Sequence, residues 1–343
     1  MDGVAYLDHA ATTPMRHEAV EAMRPYMDVL YANPSGSHRF ARAARRAIDE
    51  ARDDVAAVLG CAPGEVVFTS GGTEGDNTAV LGAVRRSGGT AVCSAAEHHA
   101  VLHCVEHAKG RIVGVDAAGE IDADALRDVL REVARTGHAS VVSVMAVNNE
   151  VGTITDMARV SRVVREEAPG AVLHTDAVQA ACWLDLRAIS PLVDVMSLSA
   201  HKFGGPKGVG ITMIRSGAPV EPLILGGGQE RDRRSGTHNV GGIVAAAAAL
   251  RAIADDPERA YELTIKHNSV AVLSNGLGMT VCAAMMDSDA RLSVLPQEAR
   301  QVRLSARSNA ELKAGSPEDF AAFVAEEAPR WAEVIKSSGM KLE

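Results

Sequence analysis

The chain has 343 residues, of which 47% are hydrophobic and 23% charged, enough for a large core and for two domains. Thirty-five basic against 44 acidic residues give a net charge of -9, and no Lys/Arg block offers a footprint for nucleic acid or an anionic membrane. Small-molecule chemistry in the cytoplasm is expected, because no apolar run reaches transmembrane length and no basic-then-apolar signal opens the sequence. Cys61, Cys93, Cys104, Cys182 and Cys282 are scattered, odd in number and free of CxxC pairs, which indicates neither a disulfide framework nor a zinc knuckle.

Short β-branched runs alternate with helical periodicity through the first two-thirds of the chain, the pattern of an α/β fold. A helix is expected over 41–59, where Ala44, Ile48, Ala51, Val55 and Val58 share one face. Strands follow at 65–69, 90–93 and 111–115, then a second amphipathic helix over 122–135 built on Leu126, Val129, Leu130 and Val133. Further strands fall at 140–144, 171–174, 194–198 and 209–214. Most are apolar throughout, as in a mainly parallel sheet covered on both faces. From about Asn239 the chain reads as long helices with one short apolar run at 279–282. The expected division is a large domain over 1–250, a partial small domain over 251–295 and an atypical helical tail over 296–343.

Ser197-Leu-Ser-Ala-His-Lys-Phe-Gly-Gly-Pro-Lys-Gly-Val-Gly210 sets Lys202 between an apolar run and a glycine-rich turn. A lysine amine attacks carbonyls only where burial and neighbours leave it unprotonated, and the end of a core strand supplies that setting. The alternative is a strand-end lysine that caps a carbonyl. Thr69-Ser-Gly-Gly-Thr-Glu-Gly-Asp-Asn77 carries a strand into a helix whose first amides could hold a phosphate. Many α/β folds use such a turn only to change direction, and its spacing fits neither the dinucleotide fingerprint nor the P-loop. Asp176 leaves a mostly apolar strand, where a carboxylate can pair with a protonated pyridine nitrogen or simply cap a helix. Ala96-Glu-His-His-Ala100 offers an imidazole that could stack on a ring and move protons near neutral pH. These groups are of the kinds a phosphorylated pyridine cofactor needs.

Taken in order, the motifs resemble those of the cysteine desulfurases, pyridoxal-phosphate enzymes of the class V aminotransferase group, and especially the branch serving iron-sulfur cluster assembly. The resemblance covers about the first 290 residues. It runs from Tyr6-Leu-Asp-His-Ala-Ala-Thr-Thr-Pro14 through Asn33-Pro-Ser35, Phe68-Thr-Ser-Gly-Gly-Thr-Glu74, Glu97-His-His-Ala-Val101 and Val147-Asn-Asn-Glu-Val-Gly152. It continues through His174-Thr-Asp-Ala-Val-Gln179 and the lysine segment to Gly226-Gly-Gly-Gln-Glu-Arg231 and Arg234-Ser-Gly-Thr237. It implies an aspartate aminotransferase-like large domain of fold type I and a smaller, truncated α+β C-terminal domain. The implied cofactor is pyridoxal 5'-phosphate and the implied reaction converts L-cysteine to L-alanine with sulfur transfer. By the same resemblance Lys202 would hold the cofactor covalently, Asp176 would pair with the ring nitrogen, Gln179 would bond the ring oxygen and His98 would stack on the ring. Gly72, Thr73, Ser199 and His201 would hold the phosphate, and Asn149 would lie near the substrate. Thr237 would reach the phosphate of the neighbouring subunit, which implies a homodimer with shared sites. An iron-sulfur scaffold or other sulfur-acceptor protein is the implied partner.

The resemblance also implies a persulfide-forming cysteine in a small-domain loop near residue 300 or beyond, yet no cysteine follows Cys282. Cys282 reads as a buried strand residue, with a substitute catalytic thiol as the alternative. Val302-Arg-Leu-Ser305 could mimic the family's carboxylate-binding segment, which makes Arg303 a candidate. Two other functions stay open: a pyridoxal-phosphate lyase acting on cysteine or selenocysteine without a protein thiol, and a cofactor-binding fusion product without turnover. The segments Leu312–Val324 and Arg330–Lys336 resemble the C-terminus of periplasmic solute-binding proteins of tripartite tricarboxylate transporters. There Ser316 can cap a helix that begins with Pro317 and carries an apolar stripe through Phe320, Phe323 and Val324. That tail is read as a fused or rearranged terminus and not as a transport function. His99, His103 and His107 recur at a spacing that can bind zinc, but no carboxylate or cysteine partner falls on that face, so no metal is expected.

Overall fold

The computed structural model describes residues 8–255 throughout and, beyond them, the backbone of four short strands. Two short helices, α1 (His17–Met23) and α2 (Pro25–Asp28), precede the long α3 (Arg39–Leu59). In α3, Ala41, Ala44, Ile48, Ala51, Val55 and Leu59 are buried at three- and four-residue spacing. His38 caps its start, accepting from the Ala41 amide, and Gly60 ends it with a left-handed φ of 67°.

The chain then alternates β1 (Val66–Thr69), α4 (Gly72–Ser87), β2 (Thr90–Ser94), α5 (His99–His107), β3 (Arg111–Val113) and α6 (Ala123–Thr136). It continues through β4 (Ala139–Ser143), α7 (Met157–Glu167), β5 (Val172–Asp176), α8 (Leu186–Ile189), β6 (Val195–Ser199), β7 (Gly210–Ile214) and α9 (Val240–Asp255). One seven-stranded sheet results, in the order β1-β7-β6-β5-β4-β2-β3. Only β7 runs against its neighbours, so the expected mainly parallel α/β sheet is present.

Each face of the sheet is covered by its own apolar cluster. Leu173, Val142 and Met196 point to the face where Ile48 of α3, Leu126 of α6, Val160 of α7 and Leu250 of α9 pack. Val141, Val172 and Val195 point to the opposite face, under Val80 and Ala83 of α4 and Val101 and Val105 of α5. Strand alternation therefore puts Ser143, His174, Asp176, Ser197 and Ser199 on the α4/α5 face. Going along β4, β5 and β6, that face changes from valine to polar side chains at the strands' C-terminal ends.

The helical reading after Asn239 holds for α9, and beyond it the described residues are strands, one of them on the expected apolar run at 279–282. Four short strands follow: β8 (Ala271–Ser274), β9 (Thr280–Ala283), β10 (Arg291–Ser293) and β11 (Arg303–Ser305). β8 pairs antiparallel with β9, which sets Cys282 opposite Val272, and β10 pairs with β11, which sets Arg303 opposite Ser293. The tail motifs at 312–324 and 330–336 lie outside the described residues.

Candidate active site at the ends of β5 and β6

Asp176 is the last residue of β5, in register with Ser197 of β6, and is 2% exposed. The sequence reading ended this strand at His174, because polar residues mask a strand end whose backbone still pairs. Asp176 Oδ1 accepts a 2.9 Å bond from the Val178 amide. Burial, reinforced by the charge of Asp76, pushes the Asp176 carboxyl up to about 7. The site thus holds a carboxyl that gains from an added cation.

Lys202 ends the short 3-10 turn Ala200–Lys202 that follows β6. Its half-buried ammonium is desolvated, which lowers its pKa, although Asp176 and Asp8 pull the other way. Its Nζ donates to the Ala10 carbonyl. Gln179 Nε2 donates to that same carbonyl at 2.9 Å, so the two side chains converge on one point. His201 packs alongside, its Nδ1 at 3.0 Å from Thr12 Oγ1, and its backbone carbonyl accepts from Thr13. Burial, with the charges of Lys202 and Lys207, holds the His201 imidazole down at about 4.

The N-terminus of α4 faces the same place. Gly71 is its N-cap and supplies no side chain, so the first-turn amides lack a side-chain acceptor. A Cβ built on Gly71 would lie 3.9 Å from Ser199 Oγ, and one on Gly72 would lie 2.5 Å from Val178 Cγ2. The close backbone approach requires glycine at 72, and Ser199 reaches the mouth of the turn. Thr73 follows, exposed, in the first turn. His98, also exposed, caps α5 by accepting from the Ala100 amide at its Nδ1, 3.1 Å away. Its charge acts on Asp176, so it stands near that carboxyl.

Gly72, His98, Asp176, Gln179, Ser199, His201 and Lys202 therefore converge, with Thr73 at the rim. Asn148 is committed to the loop: its Nδ2 donates to the Ala96 carbonyl at 2.8 Å and its Oδ1 accepts from the amides of Glu150 and Val151. Its neighbour Asn149 is half-buried and, among the described residues, makes no side-chain hydrogen bond. Thr237 is exposed on the loop before α9, whose Arg234 bonds Glu74 in the first turn of α4. The side chains of Cys282 and Arg303 lie outside the described residues.

Three contributors escaped the sequence reading. The Ala10 carbonyl did so because a backbone acceptor leaves no side-chain signature. Glu97 is buried and accepts from the Met145 amide at 2.5 Å, tying the His98 turn to the loop that carries Asn149. Asp76 is a residue of α4 with 1% exposure. Both sat inside quoted motifs, Asp76 as an acidic residue on a helix that covers the sheet and Glu97 in the turn before α5.

The family model described as aminotransferase class-V matches residues 5–333. The chain belongs to the aminotransferase class-V family. Cysteine desulfurase IscS of Dictyoglomus turgidum is 42% identical over 71% of this chain, and the match spans 62% of that relative's length. Among solved structures, a NifS-like protein superposes with a TM-score of 0.70 at 37% identity, covering 75% of this chain and 72% of that one. A structure titled SspA in complex with cysteine has a TM-score of 0.65 at 33% identity, covering 72% of each chain. No described helix is long and apolar enough to cross a membrane.

Proposed function

We propose that this chain is a pyridoxal-phosphate-dependent, cysteine desulfurase-like enzyme that takes sulfur from L-cysteine and leaves L-alanine. The observation that carries the reading is the convergence of a buried carboxyl, Asp176, and a desolvated amine, Lys202, beside a helix start that has no side-chain cap. The residues fit the cofactor's chemistry. A cationic ring nitrogen would relieve the proton-hungry Asp176 carboxyl, and a phosphate would take the α4 amides with Gly72, Thr73, Ser199 and His201. When bound, the cofactor supplies an electron-poor ring that stabilises negative charge at the substrate's α-carbon.

The chain's own groups divide the remaining work. Lys202 offers an amine that burial keeps closer to its nucleophilic neutral form. Because His98 Nδ1 is engaged with a backbone amide, Nε2 is the ring nitrogen left to face the substrate and move a proton. Gln179 presents a side-chain donor beside Lys202, and Asn149 stands free to contact substrate. The likeness to a cysteine desulfurase IscS and to a structure solved with cysteine supports the choice of substrate.

Sulfur acceptance is the less typical part. Burial raises the thiols of Cys61 and Cys104 to about 11 and that of Cys93 further still, so these three are poor thiolates. Cys182 is buried too, its Sγ donating to the Lys202 carbonyl at 3.6 Å, so Cys282 is the thiol we assign first as acceptor; the second reading is β-elimination, which releases sulfide with pyruvate and ammonia and needs no protein thiol. Cofactor domain 1–250, a homodimer in which Thr237 enters the partner's site, and a separate sulfur-acceptor protein complete the proposal.

The test is visible absorption of the purified protein with pyridoxal 5'-phosphate, before and after L-cysteine, with alanine and sulfide quantified. Wild type is expected to give a cofactor band that responds to cysteine and to form alanine; Lys202→Ala should lose both. A band of equal strength in Lys202→Ala would overturn the lysine assignment. Absence of alanine from a loaded wild type would overturn the reaction. Persulfide mapped to Cys282 separates protein-thiol transfer from direct sulfide release.

A further inference from the structure

Behind Asp176, on the α4/α5 face of the sheet, lies a second carboxyl that the proposed reaction does not use. Asp76 of α4 is 1% exposed, and its Oδ1 has no hydrogen-bond partner. That oxygen stands 3.5 Å from Nε2 of His174, which precedes Asp176 by two residues and shares its face of β5. The His174 ring is fixed on both sides, Nδ1 at 2.8 Å from Ser143 Oγ and Nε2 at 3.0 Å from Ser197 Oγ. The neighbouring titratable groups are Glu97 and His98 from the β2–α5 turn, Cys104 from α5, and Lys202 after β6.

Two carboxylates in one buried site cannot both ionise cheaply, and a neutral imidazole between them compensates neither. We propose that Asp76 is a positioning residue for Asp176: the two carboxyls, coupled across His174, hold one proton between them, so the site keeps a single negative charge to set against the ring nitrogen. This rests on the reading that Asp176 faces that nitrogen. Burial raises Asp76 to about 7 and, together with Asp76, raises Asp176 to about 7, while burial holds His174 at about 4. Glu97, raised by burial and by Asp176, is tied to the loop after β4 by the Met145 amide. Whichever of Asp76 and Asp176 carries the proton, its O–H bond forms as the other's breaks, and the pair's net charge is unchanged.

An infrared titration of the cofactor-free protein reads the carbonyl stretch of protonated buried carboxyls directly. Wild type should lose two carboxyl protons in separate steps. Asp76→Asn should leave Asp176 a single step at lower pH than the wild-type upper step, and Asp176→Asn should do the same for Asp76. Should Asp76→Asn not fold, the Asp176→Asn arm alone decides. The onset of pyridoxal 5'-phosphate binding, followed by fluorescence quenching, should extend to lower pH in Asp76→Asn than in wild type. Asp176 and Asp76 steps unmoved by loss of the other, with cofactor binding intact, would overturn this inference alone. Coupled steps without cofactor binding at any pH would overturn the functional reading and Asp76's positioning role with it.

Discussion

A carboxyl buried for function carries a cost in stability, and at Asp176 the sign of that cost can be worked out. Its ordinary value of 3.8 is raised to about 7 in the folded, cofactor-free protein, first by burial. A group raised on folding contributes its full stability below the ordinary value and loses it as pH rises through the folded value. The cofactor-free wild type should therefore weaken between about pH 4 and 7, the window set by this shift. Asp176→Asn cannot ionise, so its unfolding free energy should fall less steeply across that window and exceed wild type at the alkaline end, while its cofactor binding weakens. Urea denaturation at a series of pH values checks this, and identical slopes in the two proteins would remove Asp176 as the cause. The same residue illustrates the limit of sequence reading. Its role was legible from the motif, but its place inside β5 was not, because strand ends that carry chemistry exchange apolar side chains for polar ones while the backbone ladder continues.

At the scale of elements, the loop between β7 and α9 needs an anchor, since Glu230, Arg231 and Asp232 all adopt left-handed φ values of 49°, 58° and 64°. Glu230 supplies it. Its carboxylate takes bonds of 2.6 and 2.8 Å from Arg52 of α3, one of 2.8 Å from the Phe68 amide and one of 2.8 Å from His238. Burial alone would raise Glu230, but the bonds from Arg52 and His238 outweigh it and hold it at about 2. Arg52 also stacks 4.8 Å from the Phe68 ring centroid, so one side chain ties α3, β1 and the loop. Arg52→Leu leaves a buried carboxylate without its main partner and should cost about 3 to 5 kcal/mol. Pairing it with Glu230→Leu should recover part of that loss, because the uncompensated charge goes as well. Denaturant midpoints of both variants test the pair, and a double variant less stable than the single by the full Glu230 effect would show the two residues act separately. None of this was visible in the sequence, where the partners lie 178 positions apart. The periodic helices were visible: α3 and α6 formed where apolar residues recur at helical spacing, with Asp122 capping α6 instead of starting it.

At the scale of the whole molecule, the described subunit leaves large apolar side chains in solvent. Tyr31 is 81% exposed, Phe40 67% and Leu225 79%; exposed Val29 accompanies Tyr31 in the stretch joining α2 to α3, which Met27 of α2 and Phe40 of α3 flank. Scattered apolar residues on a surface are ordinary, but a run of them in one connecting segment marks an interaction site. The strained loop bears on the same question, because Glu230 fixes a segment whose next residues include Arg234, which bonds Glu74 of α4 at 2.9 Å, and exposed Thr237. An exposed threonine on a loop held this firmly has a use if another copy receives it. The proposed homodimer accounts for both features, and it predicts sedimentation at twice the subunit mass of 35.9 kDa. Tyr31→Asp combined with Phe40→Asp puts charge into the apolar segment without touching the sheet or its strand-end site. That variant should sediment as a folded monomer, with unchanged circular dichroism, and should bind pyridoxal 5'-phosphate more weakly if Thr237 serves the partner's site. A wild type that stays monomeric at tens of micromolar would leave the exposed segment and the exposed threonine without this explanation. A monomeric variant that binds the cofactor as tightly as wild type would keep the dimer but confine each site to one subunit.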